Sequence, residues 1–293
     1  MTDLGLANPL VSIIVRSVDR PTLFDTLASV STQSYPSIEL VVIAASKGDH
    51  RIIPEYAGPF PIRQRAPSPE GLSRSVAANI GLDMARGEFA LFLDDDDWIE
   101  PLHIERLVRT LQSVDPNEII ASYSGTRCVD AEGNPRPERF GIPYDFTRLL
   151  IGNFIPIHSC LFRLTPRIQN CRFDENLPLY EDWDFWMQLG ETGDFIFCET
   201  QTAVYRLGAG TGFGVEGWGS SSASIAYRLV LKKWLNRWPI EELERIIERA
   251  RQSYLMPLEC ELKNTSEVHS VEPTIQVSAF TNRVASWLKS LLH

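Results

Sequence analysis

A chain of 293 residues, 44% hydrophobic and 23% charged, is long enough to bury a full core. Its 28 basic residues against 38 acidic ones give a formal charge of -10, and no Lys/Arg cluster falls on any expected element, which argues against nonspecific nucleic-acid binding. No window approaches the ~20 apolar residues of a membrane span, and the first ten residues carry no export signal. The cysteines, Cys128, Cys160, Cys171, Cys198 and Cys260, are widely spaced without a CxxC, so reduced packing residues in a cytoplasmic protein are expected.

VSIIVR at 11–16 is an apolar strand signal. Residues 21–33 place Leu23, Leu27 and Val30 at helical spacing behind a first-turn Pro21, and IELVVIA at 38–44 gives a second strand. The chain therefore opens as a β-α-β unit with a parallel pair. No GxGxxG follows the first strand and no GxxxxGK[ST] occurs, which argues against the usual dinucleotide fold and a P-loop enzyme. Residues 45–70 are a proline-rich loop with one short strand near 62–65. A helix is expected over 73–84, with Val76, Ile80 and Met84 on one face and Gly87 as its stop.

The stretch 87–101, GEFALFLDDDDWIEP, is the centre of the chain. An apolar strand at 89–93 runs straight into four carboxylates, Asp94 to Asp97. Adjacent carboxylates at a strand end repel one another and persist best when a cation neutralises them. Oxygen ligands suit Mg2+ or Mn2+, which usually complete their shell with phosphate. The bland alternatives are a solvated acidic loop or a helix start, since Pro101 opens a helical pattern over 101–111. The position favours a ligand site, because open α/β sheets bind ligands beyond the carboxyl ends of their strands.

Beyond residue 119 the pattern predicts an antiparallel hairpin, with a strand from 119, a turn at 131–134 and a return at 136–140. A short helix at 144–151, a strand at 159–164, a helix over 179–190 loaded with acids, and two short strands at 195–198 and 203–206 follow. After a Gly/Ser-rich stretch at 208–222, Ile225, Leu229, Trp234 and Trp238 keep helical spacing, and Pro239 opens a second helix. Residues 263–275 read as a linker. The last stretch, 281–292, is amphipathic and suits docking on the protein, on a second copy, or on a membrane surface.

Four segments together, VSIIVRSVDRP, SIELVVIAAS, NIGLDMARGEFALFLDDDDWIEP and PLYEDWDFWMQL, resemble the family 2 glycosyltransferases of the GT-A fold, which move a sugar from a nucleotide diphosphate onto an acceptor hydroxyl. The resemblance spans 9–207 and is most specific over 79–101. It implies an α/β GT-A architecture, a Rossmann-like mixed sheet flanked by helices, over 1–220, with a helical extension at 221–262 and a linker and C-terminal helix at 263–293. Asp94 to Asp96 match the D-x-D element, which implies Asp94 and Asp96 as ligands of Mn2+ or Mg2+ and Asp95 next to the sugar or ribose. Arg16, Asp19 and Arg20 match the loop against the base and pyrophosphate, and Arg74 and Asn79 fall at donor-side positions. The Glu181-Asp182 pair matches the inverting enzymes' acidic pair, with Asp182 as general base and Glu181 placing it. Helix capping is the plain alternative. His158 and Trp183 are candidates for the donor sugar or acceptor, although each residue type in such a place is more often structural.

Two departures stand out. Ala44-Ala45-Ser46 replaces the acids that commonly end the second strand, leaving base recognition to backbone groups, Ser46 or Asp49, and Ala78 stands where arginine is common. The implied partners are a nucleotide-sugar donor, UDP-linked by preference, and an acceptor that is a glycan, a lipid-linked saccharide or a small glycosylated metabolite, in bacterial surface-polysaccharide style. The rival expectation is a binding protein that kept the fold and lost the reaction. A nucleotidyltransferase, the other rival, would need a glycine-rich basic loop after the first strand, and residues 16–21 contain no glycine.

Overall fold

The two opening apolar runs form β1 (Val11–Ser17) and β2 (Ile38–Ala44), each buried along its whole length. In the computed structural model, which describes residues 8–208 and 221–250, the two pair in parallel, Val11 beside Ile38 and Ser17 beside Ala44. Strands covered on both faces need no polar alternation, which is why these runs are continuous. The crossover is α1 (Leu23–Ser31). β3 (Tyr56–Ala57) and β4 (Phe60–Arg65) extend the sheet beyond β2, with β4 parallel to it.

α2 (Arg74–Met84) is capped by the Ser73 hydroxyl, which accepts from Val76 N at 3.2 Å. Its buried face is not the expected stripe of Val76, Ile80 and Met84 but Ser75, Ala77, Ala78, Gly81 and Leu82. Small side chains let this helix lie close on the sheet: a Cβ on Gly81 would meet Ile14 Cγ2 at 2.2 Å. Ala78 is fully buried in that contact, which leaves no room for an arginine. β5 (Phe89–Asp94) then returns parallel to β1 on the side away from β2.

The second half adds β6 (Trp98–Ile99), α3 (His103–Gln112), β7 (Ile119–Val129), β8 (Pro135–Phe140), α4 (Phe146–Ile151), β9 (Cys160–Arg163), α5 (Glu181–Gly190) and β10 (Asp194–Arg206). The strand order is β3-β4-β2-β1-β5-β9-β7-β10-β6, with β8 paired to β7 as the expected hairpin. β9 is antiparallel to both β5 and β7, so it joins the two halves into one mixed sheet. The two short strands expected at 195–198 and 203–206 are one strand, β10, whose register on β7 shifts between Cys198 and Gln201 and again before Ala203. Such bulges break a hydrophobic pattern without ending the strand.

α6 (Ser221–Leu235) and α7 (Ile240–Ala250) follow. The face of α6 differs from the expected one: Ala223, Ala226, Val230, Leu231 and Trp234 are buried, whereas Ile225 and Leu229 are 49% and 43% exposed. Its rotation is set by Asp184, which is fully buried in α5 and accepts from Trp234 Nε1 at 2.8 Å and Lys233 Nζ at 2.9 Å. Val230, Leu231 and Trp234 share a core cluster with α2, β5 and α5, so α6 belongs to the main core. The Gly/Ser-rich segment 209–220, Cys260, the linker and the amphipathic stretch at 281–292 lie outside the described residues. Cys128, Cys160, Cys171 and Cys198 are free thiols. No helix among the described residues is long and apolar enough to cross a membrane.

Asp184→Ala should orphan the buried Trp234 indole N–H and destabilise the protein by about 3 kcal/mol in urea unfolding. Arg237→Ala, which removes the more exposed pair with Glu191, should cost under about 1 kcal/mol. Equal costs would mean that Asp184 does not hold α6.

Candidate active site

The parallel register of β1 and β5 sets Arg16 beside Asp94 at the carboxyl ends of both strands. Arg16 is 6% exposed. Its Nε donates to Asp94 Oδ1 at 2.7 Å, its Nη2 to Asp94 Oδ2 at 2.9 Å, and its Nη1 to Glu181 Oε1 at 3.2 Å. Burial works against the guanidinium's charge, and the carboxylates of Asp94 and Glu181 overcome it, raising its pKa. Burial likewise works against the Asp94 charge, and Arg16 holds that carboxyl below its ordinary range. One cation thus ties β1, β5 and the start of α5 together.

The four aspartates have four different surroundings. Asp94 is clasped by Arg16. Asp95 is fully buried and accepts from Ser17 Oγ at 2.8 Å, Val18 N at 2.8 Å, Arg20 N at 3.2 Å and the Arg20 guanidinium. Asp97 accepts from Arg206 N at 2.9 Å and has His158 Nδ1 3.0 Å from its Oδ2, a contact that lacks hydrogen-bond geometry. Asp96 is the least compensated, with Arg20 Nε 3.5 Å away. Burial, then Asp97 and Asp94, push its carboxyl up to about 8.

Asp182 follows Glu181 at the first turn of α5. Its Oδ1 accepts from Trp183 N at 2.8 Å and its Oδ2 from Asn153 Nδ2 at 2.9 Å. Burial, then the charge of Glu181, raise its pKa to about 7, and Arg16 and Arg74 work the other way. Arg74, the first residue of α2, bears on both Asp94 and Asp182, so the structure brings this predicted residue to the acids. Tyr180, just before the pair, has φ 62, and Asp19 in the loop after β1 has φ 68. Left-handed backbone at non-glycine residues is uncommon, and here it falls on the two segments that carry the site.

Several predicted site residues are engaged within the protein. Asp95 is a staple of the 17–20 loop, its carboxylate engaged by Ser17, Val18 and Arg20. The Asp19 carboxylate is taken by Arg51, whose N donates to it at 3.2 Å. Arg16 faces carboxylates inside the protein, not the surface of the loop. Asn79 pins the 173 segment, accepting from Phe173 N at 2.9 Å and donating to Phe173 O at 3.0 Å. His158 is buried beneath Asp97. Trp183 is fully buried, stacked on Tyr227 with its Nε1 donating to Leu149 O, so it is core and does not reach an acceptor. Ser46 closes its own turn through Asp49 O at 3.2 Å.

Asp97, read in the sequence as the fourth carboxylate of the run, completes the acidic cluster. Two residues went unread: Asn153 and Tyr205 have no sequence signal. Tyr205 comes from β10 to sit near His158, ring centroids 5.7 Å apart, and burial followed by Asp97, Asp96, Asp182 and Asp94 raises its phenol pKa well above the ordinary value.

The cluster fits a divalent cation. Asp94, Asp96 and Asp97 offer oxygens that all lie within 4.8 Å of one another, and a carboxyl raised to about 8 by burial and then by its neighbours' charge is one that a cation would return to the ionised form. An all-oxygen donor set suits Mg2+ or Mn2+.

Comparison with known proteins agrees with this geometry. EpsH of Bacillus subtilis (strain 168), described as a glycosyltransferase, is 33% identical over 108 residues, covering 36% of this chain and 31% of EpsH. TuaG of the same organism, assigned as a teichuronic acid biosynthesis glycosyltransferase, is 27% identical over 211 residues, covering 68% of this chain and 79% of TuaG. The crystal structure of S. aureus TarS 1-349 in complex with UDP-GlcNAc superposes with a TM-score of 0.54 at 17% identity, covering 78% of this chain and 72% of that one. This likeness shows the GT-A fold. The model of glycosyl transferase family 2 matches residues 12–169, and the chain belongs to that family of glycosyltransferases.

Proposed function

We propose that the chain is a metal-dependent glycosyltransferase that moves a sugar from a UDP-sugar to an acceptor hydroxyl with inversion, using Asp182 as general base. The observation that carries the reading is Asp182 itself: a carboxyl raised to about 7, at a helix start joined through Glu181 and Arg16 to the aspartate run. A base is most useful when its pKa lies near the working pH.

In this reading Asp94, Asp96 and Asp97 would hold Mn2+ or Mg2+, which when bound would supply positive charge for the diphosphate leaving group. Arg74 contacts the donor phosphates. Glu181 keeps the buried Arg16 in place and so fixes the start of α5. Asp182 takes the acceptor's hydroxyl proton as that oxygen attacks the anomeric carbon in line with the departing diphosphate, so no covalent intermediate is needed. The TarS complex supports UDP as the nucleotide, and the alanines at 44 and 45 leave the base to backbone groups and the turn at Ser46 and Asp49. TuaG's assignment supports a glycan, lipid-linked saccharide or small glycosylated acceptor. The proposed setting is the cytoplasm, with the 281–292 segment touching the inner membrane face or a second copy.

Asp96→Asn should abolish the Mn2+-dependent thermal stabilisation by UDP that the unaltered protein shows in a panel of UDP, GDP, dTDP and CDP. Unchanged UDP stabilisation in that variant would remove Asp96 from the metal site. Asp182→Asn should keep UDP binding and lose transfer by on the order of 100-fold or more, measured as UDP release from UDP-glucose, UDP-galactose or UDP-N-acetylglucosamine with saccharide acceptors. Because the base must be ionised, transfer should rise as pH increases through about 7 and level off above it. That rise should be missing from the residual activity of the variant.

A further inference from the structure

We propose that Asn153 is the positioning residue of Asp182: its side-chain amide fixes the carboxylate's orientation and stabilises the ionised form. The inference rests on the reading of Asp182 as base. Asn153 follows Gly152, the residue that ends α4, and its amide is used at both ends. Oδ1 accepts from Ile155 N at 3.0 Å, which leaves Nδ2 as the end that faces Asp182 Oδ2, at 2.9 Å. An amide whose oxygen is held by a backbone N–H cannot flip without losing that bond, so it presents a donor and not an acceptor. Trp183 N holds the other carboxylate oxygen at 2.8 Å. With one bond to each oxygen, rotation of the carboxylate is blocked, and one lone pair on each remains for an acceptor hydroxyl.

A base that must take a proton during in-line attack depends on this kind of fixed orientation. The loop after α4 is itself secured, since Trp186 Nε1 donates to Ile155 O at 3.0 Å, and α4 before it is held by Trp183 Nε1, which donates to Leu149 O at 2.6 Å. The indoles of α5 therefore hold the segment that in turn holds the acid of α5. The other charged or titratable groups bearing on Asp182 are Glu181 and Tyr180 beside it, Arg16 from β1, Arg74 from α2 and Tyr205 from β10. Among the described residues, Asn153 is the neutral side chain that donates directly to this carboxylate.

The test is the Asp182 carboxyl titration, followed by carbon NMR of protein labelled at the aspartate carboxyl carbons. The Asp182 signal is identified by its loss in Asp182→Asn. Asn153→Asp keeps an oxygen for Ile155 N, and with it the loop, but replaces the donor by a second acid. Asn153→Ala removes the donor without adding charge. Both variants should fold, checked by thermal melts, and should bind UDP with Mn2+ as the unaltered protein does. The midpoint should move up by about one unit in Asn153→Ala and further in Asn153→Asp, as loss of a hydrogen bond to a charged group predicts. The pH at which transfer rises should move with it. An unmoved midpoint in both variants overturns the inference, whatever Asp182→Asn does to transfer. Full transfer by Asp182→Asn overturns the base assignment instead, and with it the catalytic meaning of the pair.

Discussion

The structure depends on a guanidinium inside the protein. Arg16 is among the most buried charged groups of the chain, and water cannot compensate it there, so two carboxylates must. Asp94 reaches it from the next strand and Glu181 from a helix more than 160 residues further along the chain. Replacing Arg16 by a neutral residue would strand the half-buried Asp94 and the buried Glu181, and losing either acid would weaken a clasp that spans both halves of the sheet. The energetic case for such a cluster as pure stabilisation is poor, because desolvation takes back much of the Coulomb gain. What it supplies is registration: the carboxyl ends of β1 and β5 and the first turn of α5 are held at one place.

The compensation is incomplete. Arg16 satisfies Asp94 and Glu181, and Arg20 and three further donors satisfy Asp95, but Asp96 and Asp182 are left with raised pKa values. These two shifts share burial as the main cause and differ in the second: Asp96 suffers from neighbouring aspartates, Asp182 from Glu181. A cation or substrate that enters the site meets one acid that gains from a positive charge and another that can accept a proton near neutrality. Titratable groups driven away from their ordinary range in this way mark functional sites more often than structural ones.

The sheet was legible where burial on both faces made the signal continuous: 11–16, 38–44 and 89–93 each became a strand, and the hairpin at 119–140 was read from its turn. The acidic run and the Glu181-Asp182 pair were legible as places, but not as environments. Nothing in DDDD distinguishes Asp95, sealed under the 17–20 loop, from Asp96, which has Arg20 Nε only at 3.5 Å, since the difference is made by Ser17, Val18 and Arg20 arriving from the loop after β1. The same holds for Trp183 and His158, which stood as candidates for a sugar contact and are both buried by packing. The face of α2 was misread because hydrophobic spacing favours large residues, whereas close approach to the sheet selected Ala77, Ala78 and Gly81. Asn153 was invisible, because an asparagine after a helix-ending glycine reads as loop chemistry and its partner is 29 positions away.

The start of α5 shows how two adjacent acids take different tasks. Consecutive helical residues point about 100° apart, so Glu181 and Asp182 cannot serve the same neighbour. Glu181 turns to the buried guanidinium of Arg16, and Asp182 turns to the loop after α4, where Asn153 meets it. A helix N-terminus favours negative charge and would lower the Asp182 pKa. At Asp182 burial and the adjacent Glu181 outweigh that help, because Arg16 is already engaged with two other carboxylates and Arg74 contributes a smaller counteracting effect. The helix start thus ties one acid to the buried guanidinium and leaves the next near its titration point. Exchanging the order of the two residues would present a longer side chain to Asn153 and a shorter one to Arg16, and neither contact would close at the distances seen here.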